Sequence, residues 1–169
     1  MGLPAKLKNF NVFADGVSWL GLVGEVSLPE IKVKTEEWRG GGMLGPVDVP
    51  MGYEKLELEI KLGGLVVAAM RQFGRIGVSG AMLRYVGAYQ EDVGGGILPA
   101  ELVTRGMQVM FNPGTAKTAA DTEQTLKSTL SYLKWTVAGR VEIELDMLNN
   151  VAIFDGVDLM ADIRSALQQ

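Results

Sequence analysis

Between Glu54 and Leu62 apolar and polar residues alternate without a break. Leu56, Leu58, Ile60 and Leu62 fall on one side, and Lys55, Glu57, Glu59 and Lys61 on the other. Successive side chains of a strand point to opposite faces, so this run predicts an antiparallel strand with one face in a core and one in solvent. The same period of two predicts a half-buried strand where Ile31, Val33 and Thr35 alternate with Glu30, Lys32, Lys34 and Glu36. Further strands are predicted over residues 81–90, with Leu83, Tyr85 and Tyr89 on one side, and over 97–109, 126–137 and 141–147. In the last of these Val141, Ile143, Leu145 and Met147 face in, and Glu142, Glu144 and Asp146 face out. Shorter strands are expected at 11–13 and 151–154. A β-rich stretch over 17–28 places Ser18, Leu20, Leu22, Val26 and Leu28 on one face. Asp15-Gly16, Asn112-Pro113-Gly114 and Gly139-Arg140 are turn signals, as is the run 92–96. Residues 1–10, with Pro4 and spaced apolar positions, read as an extended N-terminal arm.

The period changes twice. Val66, Ala69, Met70 and Phe73 stand at helical spacing before Gly74, and Leu159, Ile163 and Leu167 stack at every fourth position near the end. Many short strands with one or two short helices predict a mainly β fold, a β-sandwich or partly open barrel. The 169 residues suit a single domain, 1–169, large enough for a real core.

Residues 39–53 break the pattern. Gly40, Gly41, Gly42, Gly45 and Gly52 are interspersed with Pro46 and Pro50, in a connection far longer than the roughly 2–5 residues a hairpin needs. Met43, Leu44, Val47, Val49 and Met51 lie within it and Trp38 just before it, too much apolar surface for a solvated loop. The stretch is expected to extend into a neighbouring subunit, with Trp38, Met43 and Met51 as contacts. The other tryptophans and most of the nine methionines read as core.

Composition narrows the chemistry. The chain has no cysteine and no histidine, which removes thiolate nucleophiles, Ser-His and Cys-His dyads and the usual zinc sites. A net charge of −4 argues against general nucleic-acid binding. No apolar run approaches the ~18 residues of a membrane span, and the first ten residues lack the apolar centre of a signal peptide. Residues 40–45 match G-x-G-x-x-G, but Pro46 to Pro50 cannot form the helix whose amino terminus would meet a pyrophosphate. Gly114 to Thr118 fails the spacing of a phosphate loop. Glu142, Glu144 and Asp146 are spread along one strand face, which suits a solvated or partner-facing stripe better than acid–base chemistry. The expectation is a protein that is not an enzyme and takes no cofactor or metal.

The order of short motifs is informative where each alone is not. Lys34-Thr35-Glu36, Trp38 to Met43, Pro46-Val47-Asp48, Met51-Gly52 and Glu54 are followed by Gly63-Gly64, Gly87 to Gln90 and Arg105-Gly106. Asp121-Thr122-Glu123, Ile143, Asp146 and Gly156-Val157-Asp158 complete the series. This series resembles the major tail tube proteins of contractile-tailed phages and of R-type pyocins, over nearly the whole chain. Trp38 stands where the family pattern has tyrosine, and Ala138 where it has an acidic turn residue.

The resemblance implies hexameric rings stacked into a hollow tube inside a contractile sheath, with sheets joining into a barrel across subunits. The channel would pass DNA, or serve depolarisation in a bacteriocin. Implied partners are copies of the chain, sheath, baseplate and tail-terminator proteins, and a tape measure in the lumen, without membrane insertion. The location would be the virion tail, assembled in the bacterial cytoplasm. The inter-subunit loop over 39–53 would contribute Arg39, Gly40, Gly41, Gly42, Met43, Leu44, Pro46, Val47 and Met51 beside Trp38. Lys55, Glu57, Glu59 and Lys61 would face the channel, and Asp155, Asp158 and Asp162 the sheath. Type VI secretion rings share this architecture and are the competing class; a non-catalytic β-rich binding module is a third.

Overall fold

The computed structural model describes residues 2–169. The chain runs β1 (Lys6–Ala14), β2 (Val17–Ser18), β3 (Val23–Ser27), β4 (Val33–Trp38), β5 (Val47–Tyr53), β6 (Leu56–Leu62) and α1 (Val67–Phe73). It continues β7 (Ala81–Gln90), β8 (Ile97–Asn112), β9 (Gln124–Val137), β10 (Arg140–Asp146), β11 (Val151–Phe154), β12 (Val157–Asp158) and α2 (Ala161–Ala166). Ten strands form one antiparallel sheet in the order β12-β11-β10-β9-β8-β7-β1-β2. The sheet forks at β9, whose later half pairs with β10 and whose earlier half pairs with β6, which in turn pairs with β3. The fold is mainly β, built on a single forked sheet that leaves edges open at β1 and β3.

The alternation in β6 is realised without exception. Leu56, Leu58, Ile60 and Leu62 are all buried, each contributing roughly 1.5–3 kcal/mol of apolar burial. They meet Leu83, Tyr85, Leu102, Leu126, Leu133 and Leu145 from the facing strands, so one core spans the sheet. Gly106 sits at a register shift of β8 against β9, where a Cβ would lie 2.1 Å from the Thr129 carbonyl oxygen. Only glycine lets the two backbones approach there.

Several expectations are corrected. The N-terminal arm is shorter than 1–10: Lys6 to Phe10 belong to β1 and pair with β7, while Met1 lies outside the described residues. The stretch 17–28 is not one face of a strand. A turn over 19–22 buries Trp19 and leaves Leu20 and Leu22 exposed. The β9–β10 turn is Ala138-Gly139, both at positive φ (49° and 81°), rather than Gly139-Arg140. The sequence of α1 suggests that Val66, Ala69, Met70 and Phe73 face in, but Met70 and Phe73 face out and Gln72 is buried in their place. Met147 also lies exposed past the end of β10.

Candidate functional site

The loop expected over 39–53 is in fact the distal half of a β-hairpin. β4 and β5 form a separate two-stranded sheet, joined by residues 39–46. Strand β4, expected to be half-buried, is exposed along its whole length because the hairpin leaves the main sheet. β5 is exposed except at Tyr53, whose ring stacks on Phe154 at 6.3 Å and marks the root. The Glu54 N–H donates to the Lys32 carbonyl at 2.9 Å, closing the base. At the tip the Met43 N–H donates to the Gly40 carbonyl at 3.3 Å, and the Gly40 N–H donates to Met43 Sδ at 3.0 Å. Arg39 reaches the Leu44 carbonyl at 3.4 Å, and Leu44 is 100% exposed.

Register divides the hairpin's chemistry. Trp38 pairs with Val47 and Glu36 with Val49, so these four share a face, and Met51 continues it two positions on. Glu37 lies opposite Asp48 on the other face. Trp38 is 63% exposed, and Val47, Val49 and Met51 are exposed with it. The loop residues Gly41, Gly42, Leu44 and Pro46 touch solvent or only one another's turn, with Gly42 at φ 84°. The structure thus brings the predicted interface residues into one projecting element.

The polar side of β6 forms a second surface. Glu57 lies between Lys55 at 2.9 Å and Lys127 at 3.0 Å. Hydrogen bonds from Lys55 and then Lys127 hold its carboxyl below the usual range. Lys61 lies 3.6 Å from Glu25 and 4.0 Å from Glu123. A shallow cleft of about 410 Å³ runs along this face past Glu57 and Glu59 toward Lys32.

The acidic row of β10 does not converge. Glu142 lies 3.6 Å from Arg140, Glu144 accepts from the Tyr132 hydroxyl at 2.9 Å, and Asp146 accepts from Asn149 Nδ2 at 2.7 Å. Among the described residues no cluster of His, Cys, Asp and Glu is arranged to hold a metal ion. No helix among the described residues is long and apolar enough to cross a membrane.

The three C-terminal aspartates have different surroundings. Asp155 sits at φ 52° in the β11–β12 turn and pairs with Arg140. Asp158 pairs with Arg164 and accepts the Met160 N–H at 3.0 Å; Arg164 also donates to the Asn150 carbonyl at 3.0 Å. The Arg164 guanidinium holds the Asp158 carboxyl below its usual range. Asp162 is exposed in the first turn of α2. Asp158 therefore ties α2 to the sheet, while Asp155 and Asp162 face outward.

Sequence reasoning missed the outward face of α1, where Val67, Met70 and Phe73 are exposed. The available signal was the uncharged Gln72 beside Arg71 in an otherwise apolar helix.

This mainly β fold is shared with chains of contractile injection systems. A chain of the PVC sheath–tube complex, an extracellular contractile injection system in its extended state, superposes with a TM-score of 0.58 at 12% identity, covering 80% of this chain and 93% of that one. A chain of the anti-feeding prophage baseplate gives 0.57 at 12% identity, covering 80% and 97%. Sequence carries the relationship further. The family model of phage tail tube protein FII matches residues 4–167. The tail tube protein of Escherichia phage P2 is 34% identical over 167 residues, 97% of each chain. The major tail tube protein of Serratia phage KSP20 is 34% identical over 170 residues, covering 99% of this chain and 98% of that one. The chain belongs to the phage tail tube protein family, and its role is that of a tail tube subunit of a contractile phage or pyocin-like particle.

Proposed function

We propose that the protein closes into hexameric rings that stack into a hollow tube, and that the β4–β5 hairpin carries contacts between subunits. The observation that supports this reading is the ribbon of Trp38, Val47, Val49 and Met51, which its own chain leaves exposed. Apolar ribbons of this kind mark interaction surfaces. Lateral closure is supported by two open backbone edges, that of β1 over residues 6–11 and the outer edge of β3. Pairing such edges between copies satisfies their N–H and C=O groups and removes a template for aggregation.

The polar side of β6, with Lys55, Glu57, Glu59 and Lys61, is assigned to the channel. Its charges of both signs are largely paired, so a passing polyanion would meet little net attraction. DNA is the cargo in a phage and would pass only transiently over a tape measure's former path. The outward carboxylates Asp155 and Asp162 are assigned to the sheath; Asp158 contributes by holding α2 in place. Baseplate and tail-terminator proteins would cap the tube's ends.

Electron microscopy of the purified protein tests the reading: stacked rings are expected. Deleting residues 41–49 should give a folded monomer that no longer polymerises, and tubes of normal length from that deletion would refute the role of the hairpin.

A further inference from the structure

Helix α1 buries Val66 and Ala69 but is apolar on its outer side as well. Gln72 is 5% exposed, whereas Val67, Met70 and Phe73 face outward. The following loop adds Ile76 and Val78, both exposed. Beside these residues stands Arg71, exposed and without an ion pair among the described residues. A helix face of this kind is ordinarily covered. Among the described residues nothing covers it.

The hairpin carries the matching surface. Trp38, Val47 and Val49 surround Glu36 on one face, and Glu36 is exposed and likewise has no ion pair among the described residues. Each surface is thus largely apolar and carries an exposed charge opposite in sign to the other's: Arg71 on the helix, and Glu36 on the hairpin, with Lys34 two positions away on the same face. The six residues of β4 reach about 20 Å at ~3.3 Å per residue, enough to lay the ribbon on another molecule. We infer that the outer face of α1 receives the apolar face of the hairpin from a second copy of the chain, with Arg71 meeting Glu36. This inference rests on the hairpin reading above and names the surface to which the hairpin docks.

The absence of native cysteine makes the contact directly testable. Glu36→Cys protein is mixed with a mass-tagged Arg71→Cys protein, allowed to assemble, and treated with a short bis-maleimide. The expected product is a covalent heterodimer of the two masses, formed in tubes and lost when the hairpin tip, residues 41–49, is deleted. In parallel, Glu36→Arg and Arg71→Glu should each reduce tube yield at least tenfold, and the double exchange should restore most of it. Circular dichroism confirms that each variant is folded. Tubes that form normally without the heterodimer, or single exchanges that leave tube yield unchanged, overturn the inference and leave the hairpin reading standing. If the unaltered protein forms no tubes, the proposed function falls and this inference with it.

Discussion

The side-chain amide of Gln72 donates to the carboxylate of Asp15 at 3.2 Å, across 57 residues of sequence. Its carbonyl oxygen accepts from Gln108 at 3.4 Å, and Gln108 accepts from Ser128 at 2.7 Å. Arg75 closes on the same Asp15 at 2.6 Å, and Gln124 accepts the Val66 N–H at the start of α1 at 3.1 Å. The helix is therefore held to the sheet by polar groups beside the buried Val66 and Ala69, which satisfies buried amides and leaves Val67, Met70 and Phe73 outside.

Gln72→Ala should destabilise the monomer by about 1–3 kcal/mol, because Gln108 keeps a buried donor without its acceptor. Urea unfolding measures this. Combined with Ser128→Ala the losses should not add, since both changes break one network. Additive losses would mean that the chain of bonds carries no coupling.

The two faces of β6 should respond in opposite ways. Leu58 is 3% exposed, so Leu58→Ala should cost about 2–5 kcal/mol and Leu58→Asp should prevent folding. Glu57→Gln should fold normally, its outward ion pairs with Lys55 and Lys127 being wetted. Thermal melts followed by circular dichroism distinguish the two cases.

Backbone conformation offers a stabilising change. Ala138 holds φ 49° in the β9–β10 turn, a left-handed conformation costing a non-glycine residue about 1–2 kcal/mol. Ala138→Asn should raise the melting temperature, because asparagine suits the first position of this turn. Gly106→Ala should do the reverse, its Cβ falling 2.1 Å from the Thr129 carbonyl oxygen.

Acid should loosen the C-terminal helix. The Asp158 carboxyl is held below its ordinary range by Arg164, so its folded-state pKa is depressed. Its stabilising contribution is full above the unfolded value near ~4 and is lost as pH falls through the folded value. Asp158→Asn should lower stability at neutral pH and flatten the acid side of the stability profile, read from urea midpoints. A wild-type and variant difference that stays constant down to the lowest pH would refute the assignment. Asp155→Asn with Asp162→Asn should leave the monomer and tube intact while weakening sheath co-assembly, most visibly at low salt, where the wild-type contacts are least screened. Unchanged co-assembly at every salt concentration would remove these residues from the sheath contact.

The sequence by itself determined the mainly β class, the inward face of β6, most of β7 to β11 and the apolar, glycine-rich character of the hairpin's residues. Period-two alternation has only two faces to choose from, and four consecutive leucine and isoleucine positions leave no ambiguity about which is buried. The run of glycines and apolar residues likewise set 39–53 apart from the core, although its pairing as β4 and β5 was hidden by Pro50 and the bulge beside Thr35. Only the tertiary structure decided how α1 is turned and which aspartate ties α2 to the sheet. A seven-residue helix offers apolar side chains on every side, so its orientation depends on partners from elsewhere. Here Gln108, Ser128 and Gln124, brought together by strands far apart in sequence, present polar groups to it and draw Gln72 inward. Asp158 is likewise claimed by Arg164 only once α2 folds back over the end of β11, a contact that no local pattern encodes.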